Sequence, residues 1–337
     1  MPLFPFSAKR LRRSSRRAAS EFNRTLKEAQ SAVRQADRTA KAIARTLRPE
    51  RPRPAPAGRF VTVDGLPVHV IVRGRGRPVV LIHGNGTMAE DFALCGLIDR
   101  LAARYRVIAL DRPGFGRTAR PRHRVWTASA QAALVDRVLE QLKVERPLLV
   151  GHSWGTLVAL ALTAENRRAL RGLVLLSGFY FPETRADAAL AGPLAVPGFG
   201  DAARALVPAA MNRNMAEQAF RRVFWPQPVP TRFSAHFPVD QATSATQLRA
   251  GTEDAATMNA TASWLQGVYP RMTLPVAIVT GSADVVVNAS RHAVRLHAAI
   301  PGSTLKLLPG HGHMIHYGAR GQIERVIDRM MDPPKGA

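Results

Sequence analysis

From Phe60 to Leu308 the chain alternates short, unbroken apolar runs with longer stretches in which apolar residues recur every three or four positions. The short runs, bounded by turn formers, read as strands buried on both faces, and the longer spacing reads as amphipathic helix. Strands are predicted at Phe60–Asp64 and Val68–Arg73, joined by a tight turn at Gly65-Leu66-Pro67. Further strands are predicted at Pro78–Ile82, Val107–Leu110, Leu148–Val150, Gly172–Leu176, Val276–Thr280 and Thr304–Leu308. The helical spacing covers Glu90–Ala103, Thr127–Leu142, Trp154–Ala164, Ala289–Ala299 and Gly321–Met331. Strands alternating with helices build a mostly parallel central sheet with helices on both faces, which is the α/β class.

Two stretches break the rhythm. From Phe181 to Tyr269 the chain is rich in Ala, Met, Phe and Pro, and carries helical spacings such as Met215, Ala219, Arg222 and Val223 without a buried strand. It reads as a mainly helical insertion, residues 181–269, dividing a core of residues 59–180 and 270–337. At the other end, Phe22, Leu26, Val33, Ile43 and Leu47 form a thin apolar stripe in an Ala-, Arg- and Lys-rich helical pattern from Glu21 to Leu47. The stretch Arg48–Gly58 then carries four prolines, which end the helix and make a semi-rigid linker. Residues 1–58 are therefore a basic helical arm and linker ahead of the core.

Charge sharpens that division. The net charge is +24, and residues 1–59 hold 16 Lys/Arg against 4 Asp/Glu, half of the excess in about a sixth of the chain. Such an arm suits peripheral contact with an anionic membrane or another polyanion. Its arginines lack interleaved aromatics, so no specific nucleic-acid recognition is expected. The apolar start, Met1 to Phe6, is far shorter than the roughly 20 residues of a membrane span and precedes the arginines that a secretory signal would follow. The expectation is a cytoplasmic protein, peripheral at the membrane if the arm binds there, without signal peptide or transmembrane helix.

The single cysteine, Cys95, excludes an intrachain disulfide and a thiol-rich zinc site, and its apolar surroundings mark it as a packed side chain. No metal and no cofactor are expected. The polar residues that interrupt the strand ends are more informative. A serine hydroxyl is a weak nucleophile and needs a base, an acid to orient the base, and donors for the oxyanion that forms. Gly151-His152-Ser153-Trp154-Gly155 lies between a strand and a helix, the context in which Gly-x-Ser-x-Gly projects its serine at the sheet's carboxyl end. After the strand Pro78–Ile82, His83-Gly84-Asn85-Gly86 makes a glycine-flanked loop; the N–H groups of Asn85 and Trp154 are the candidate oxyanion donors, and His83 reads as a loop-fixing residue. Asp284 follows the strand Val276–Thr280 by a short turn. His311, His313 and His316 follow the last strand without accompanying ligands for a metal.

With Asp111-Arg112-Pro113-Gly114-Phe115-Gly116 after the fourth strand, these motifs stand in an order that resembles the α/β-hydrolase superfamily, in its cap-bearing branch of esterases, epoxide hydrolases and haloalkane dehalogenases. The resemblance spans Phe60–Met331. It implies Ser153 as nucleophile, Asp284 as orienting acid and His313 as base, with His313 preferred to His311 and His316 because the family's histidine sits in a Gly-His pair followed by an apolar residue. Dehalogenases and epoxide hydrolases of this branch use an aspartate where this chain has Ser153, so the resemblance points to acyl transfer. In this branch the insertion forms a lid. Phe181, Met215, Phe224, Trp225, Trp264 and Met314 are the candidate substrate contacts, within a wider aromatic set that includes Phe220 and Phe233. The expected activity is hydrolysis of a hydrophobic carboxylic ester. Alternatives with the same triad are a C–C bond hydrolase, a lactonase, an amidase and a proline-iminopeptidase-like peptidase, which would draw on Glu183, Asp187, Glu217, Asp240, Glu253 or Asp254 to hold a free amine. A non-catalytic ligand-binding protein of the same fold is the remaining alternative.

Overall fold

The computed structural model describes residues 58–184, 195–196, 198–205 and 209–332. The basic arm and most of its linker, like Asp187, lie outside them. Eight strands form one sheet in the order β1-β2-β4-β3-β5-β6-β7-β8. They are β1 (Arg59–Val63), β2 (Leu66–Arg73), β3 (Pro78–Ile82), β4 (Arg106–Leu110), β5 (Leu148–His152), β6 (Gly172–Leu176), β7 (Val276–Gly281) and β8 (Thr304–Leu308). The first hairpin and the β2–β4 pair are antiparallel, and β3 to β8 pair in parallel. Both β5 and β6 are buried along their whole length, as strands covered on two faces must be.

The first hairpin turns one residue earlier than expected. Asp64 and Gly65 both take positive φ, 51° and 75°, and β2 begins at Leu66. Asp-Gly is the pair that fills the two central positions of a tight hairpin turn with positive φ, so Leu66 and Pro67 are freed to pair with Val63 and Thr62.

Each face of the sheet has its own core. On one side α3 (Ala128–Gln141) and α4 (Gly155–Ala164) bury Val135, Val138, Leu157 and Leu160 against Val80, Ile82 and Leu149. On the other, α1 (Glu90–Leu94) and α2 (Leu97–Ala102) bury Phe92, Leu97 and Leu101 with Ile323 and Ile327 against Leu81, Val150 and Val279. The expected single helix at Glu90–Ala103 is broken because Gly96 adopts φ 81°, a left-handed conformation that only glycine takes cheaply. Cys95 at that break is 1% exposed, and burial pushes its thiol pKa far up, away from nucleophilic use.

Between β6 and β7 the chain forms α5 (Phe199–Ala205), α6 (Ala209–Phe224), α7 (Thr231–His236), α8 (Val239–Ala242) and α9 (Ala245–Gln266), with no strand among the described residues. A third apolar cluster, Met88, Phe224, Phe233, Phe237, Ala242 and Met314, joins these helices to the loops at the carboxyl end of the sheet. After β7, the expected helix at Ala289–Ala299 starts as a wide π-type turn, Ser290–Val294, and continues as α10 (Arg295–Ala299). Two last helices, α11 (Ile315–Gly318) and α12 (Arg320–Met331), follow β8. No described helix is long and apolar enough to cross a membrane.

Candidate active site

Ser153 sits in the turn between β5 and α4 with φ 51°, an unfavourable value for a residue with a side chain. Its main chain is held on both sides, because its N–H donates to Leu176 O at 2.8 Å and its carbonyl accepts from the Thr156 N–H at 3.0 Å and hydroxyl at 2.6 Å. These bonds over-determine the strained conformation, as such a residue requires. The result is a hydroxyl lifted out of the sheet's end toward the loop after β8.

That loop brings His313 to it. The Ser153 hydroxyl lies 2.9 Å from His313 Nε2, and His313 Nδ1 donates to Asp284 Oδ2 at 2.8 Å. Asp284, in the turn after β7, accepts at its other oxygen from the N–H groups of Val286 and Val287, at 2.8 and 2.9 Å. Both Asp284 oxygens are thus occupied, and the ring of His313 is oriented with Nε2 toward the serine. Of the three clustered histidines only His313 is so placed. His311 Nδ1 bonds to Pro309 O at 2.9 Å, and His316 pairs with buried Asp91 at 2.8 Å.

The loop after β3 closes the other side. His83 is buried, bonded through Nδ1 to Gly84 O and through Nε2 to the Arg112 N–H, so neither nitrogen faces Ser153. Burial, helped by the Arg112 charge, holds its pKa well below the ordinary histidine value, and the neutral ring works as a loop fixer. Asn85 borders the same cavity as Ser153, its side-chain amide donating to Gly251 O of α9 at 2.9 Å. Trp154 is the N-cap of α4, where main-chain N–H groups have no helical acceptor. Neither the Asn85 nor the Trp154 main-chain N–H donates to a protein acceptor among the described residues. A developing oxyanion would complete both.

A charged network that the sequence did not reveal lies beneath this loop. Arg112 is completely buried and donates to His83 O, Gly84 O and Gln131 Oε1 at 2.9 to 3.0 Å, and to Asp254 Oδ2 at 2.5 Å. Asp254, from α9, also accepts from Arg120 at 3.1 Å and Gln131 at 3.0 Å, and its carbonyl accepts from the Trp154 indole at 3.1 Å. The Arg112 guanidinium stacks over the Trp154 ring at 4.6 Å. One buried residue, Asp254, therefore ties the insertion to the Asn85 loop through its carboxylate and Arg112, and to the serine turn through its main-chain carbonyl. The available signal was an arginine in a loop otherwise made of Pro, Gly and Phe.

A cavity of about 190 Å³ opens on Ser153 and His313. Its apolar wall is Ala219, Phe220, Val223, Phe233, Val286 and Met314, and among the described residues no Lys, Arg, Asp or Glu borders it. Of the six substrate contacts expected, Met314 alone is on this wall. Phe224 is 2% exposed inside the third apolar cluster, and Phe181 packs on Tyr269 under the Arg295 guanidinium. Met215, Trp225 and Trp264 stand on the outer surface, 59%, 59% and 43% exposed. The period of a helix names a stripe but not which side of it faces inward, and here Ala219, Phe220 and Val223 face the serine. Glu253 pairs with Arg120 and Arg249, and Glu183 with Arg291 and His292, so these acids, like Asp254, are engaged away from the cavity. Glu217 and Asp240 do not border it either.

Residues 77–319 match the family model described as alpha/beta hydrolase fold. The chain belongs to this family. An uncharacterized protein of Mycobacterium tuberculosis is 30% identical over 303 residues, spanning 87% of this α/β hydrolase and 86% of the relative. Haloalkane dehalogenase 2 of the same species is 27% identical over 272 residues, 77% of this chain and 90% of its own. Among solved structures, an alpha/beta hydrolase fold protein from Burkholderia ambifaria superposes with a TM-score of 0.66 at 21% identity, covering 81% of this chain and all of its own. The protein is a hydrolase of this family, and the sheet order above is the fold it shares with that structure.

Proposed function

We propose that the protein hydrolyses a neutral, apolar carboxylic ester through an acyl-enzyme on Ser153. The observation that carries this reading is the unbroken chain of hydrogen bonds Ser153–His313–Asp284, at 2.9 and 2.8 Å, opening on a cavity that no charged side chain borders among the described residues. His313 Nε2 takes the hydroxyl proton as Ser153 Oγ attacks the ester carbonyl, and Asp284 steadies the imidazolium through Nδ1. The N–H groups of Asn85 and Trp154 receive the oxyanion, and the start of α4 adds its positive end to them. Collapse expels the alcohol, which leaves with the proton from His313. Water, deprotonated by the same ring, then attacks the acyl carbonyl, and Ser153 departs with the proton as the acid is released.

Two observations favour an ester over a peptide with a free amino terminus and over an alkyl halide or epoxide. A free α-amine needs a carboxylate to meet it, and no acid borders the cavity among the described residues. An alkyl halide or epoxide needs a carboxylate nucleophile, and the position holds Ser153. The test is a series of p-nitrophenyl esters of increasing acyl length with a peptide p-nitroanilide alongside, combined with a fluorophosphonate label. Ester turnover, covalent labelling at Ser153, and a loss of about 10⁴-fold or more in kcat/KM for Ser153→Ala are the expected results. A wild-type protein that turns over none of the esters and resists the label would be a binding protein of this fold, and the reading would fall.

A further inference from the structure

The loop that carries His313 is laced to the turn that carries Asp284. Ser282 N–H donates to Leu308 O at 3.0 Å, Ala283 N–H to His311 O at 2.9 Å, and Gly310 N–H to Ser282 Oγ at 3.0 Å. Those bonds hold one edge of the loop. The Gly310 carbonyl and the Gly312 N–H remain, and both are met by one side chain from the insertion. Gln227, in the turn after α6, donates from Nε2 to Gly310 O at 2.6 Å and accepts at Oε1 from Gly312 N–H at 3.2 Å. The neighbouring chain adds two backbone contacts. Met314 N–H donates to Val223 O at 3.3 Å, and the Trp225 carbonyl lies so close to Gly312 that a Cβ there would be 1.8 Å away.

We propose that Gln227 is a positioning residue for His313, which makes the insertion a part that aims the base as well as a wall of the cavity. The inference rests on the triad reading above. A primary amide offers one donor side and one acceptor side in a single plane. Binding a carbonyl and an N–H two residues apart, it fixes the rotation of the loop as well as its position. The rotation matters because His313 must meet Ser153 and Asp284 at once, and a shift of about 1 Å in a reacting group costs about 100-fold in rate. The acid turn alone grips the loop before His313, at residues 308 to 311; Gln227 reaches the residue immediately ahead of it. Gly310 is exposed, so water replaces the lost partner there, whereas Gly312 is buried and its N–H loses its acceptor, which costs some stability.

The experiment compares wild-type, Gln227→Leu and Gln227→Glu on a p-nitrophenyl ester and on a fluorophosphonate, with thermal melting of each. Leucine keeps the bulk and removes both bonds; glutamate keeps an acceptor for Gly312 N–H and loses the donor to Gly310 O. The clamp predicts that kcat and the labelling rate of Gln227→Leu fall together by about 10- to 100-fold with KM little changed. It predicts Gln227→Glu between the two, and melting temperatures within about 8 °C of wild-type. Wild-type kcat and labelling in both variants would overturn it, and so would a large fall in melting temperature with turnover per labelled site unchanged, which marks a purely structural role. Failure of the wild-type protein to take the label at Ser153 would bring down the triad reading and the clamp with it. Labelling of all three proteins at one rate would remove the clamp alone.

Discussion

Gly312 is decided by distance. The glycine before the candidate base does not take positive φ; it lacks a side chain because the Trp225 carbonyl occupies the space a Cβ would need. Gly312→Ala must therefore push the loop and the insertion apart, and since the next residue is His313, the displacement reaches the ring. Turnover of the ester is expected to fall by about 100-fold in this variant, measured as kcat, while burial of His313's neighbours keeps the protein folded. An alanine variant with wild-type kcat would mean that the insertion yields freely. At this scale the motif was legible, since Gly-His after a last strand drew attention to Gly312-His313, whose ring lies 2.9 Å from the Ser153 hydroxyl, but its reason was not. Nothing local in Pro309-Gly310-His311-Gly312-His313 says that a carbonyl 87 residues earlier presses on it.

Among the elements, α9 does most to bind insertion to core. Its Ser244 cap, the side chain accepting from Gln247 N–H, starts the helix, and ten residues on, Asp254 is fully buried between Arg112 and Arg120. A buried ion pair of this kind adds little net stability relative to apolar packing, but loss of one partner strands the other charge. Asp254→Ala is expected to cost about 3–5 kcal/mol, read from the midpoint of urea unfolding, because Arg112 would remain without a carboxylate. A shift below about 1 kcal/mol would indicate that water enters and solvates the guanidinium. The same scale separates what periodicity can and cannot deliver. Apolar runs bounded by turn formers located all eight strands, although only β3 to β7 are buried along nearly their whole length while the edge strands β1 and β8 are largely exposed or half-buried. The helix at Glu90–Ala103 was overextended because its apolar spacing continues through Gly96, whose backbone alone reverses the chain. The insertion's inward residues were misjudged because a helix's exposed side is set by its neighbours, so Met215 and Trp264 look like wall residues until their partners are known.

For the whole molecule the main consequence is a stability that depends on pH. His83 and His152 are both buried and held neutral, His83 chiefly by desolvation and the Arg112 charge, and His152 by desolvation with His316 and His313 beside it. Their folded pKa values lie well below the unfolded value of about 6.5, so the unfolded chain binds more protons once pH falls under that value. Stability is therefore fully present above about pH 6.5 and declines below it, by up to about 1.4 kcal/mol per pH unit for each histidine. Urea midpoints at pH 7.5, 6.5 and 5.5 should fall in that order; a flat series would mean that neither ring is held neutral in the folded state. The sequence by itself determined the α/β class, the strand sites, and Ser153, Asp284 and the cluster of His311, His313 and His316 as candidates, because apolar runs and turn chemistry are written in a few adjacent residues. Tertiary structure alone decided which of three histidines reaches the serine, which side of α6 lines the cavity, and that Gln227 and Asp254 bind the insertion to the site. Those are contacts between segments about 70 to 160 residues apart, where the free energy depends on packing and shared hydrogen bonds that no local pattern encodes.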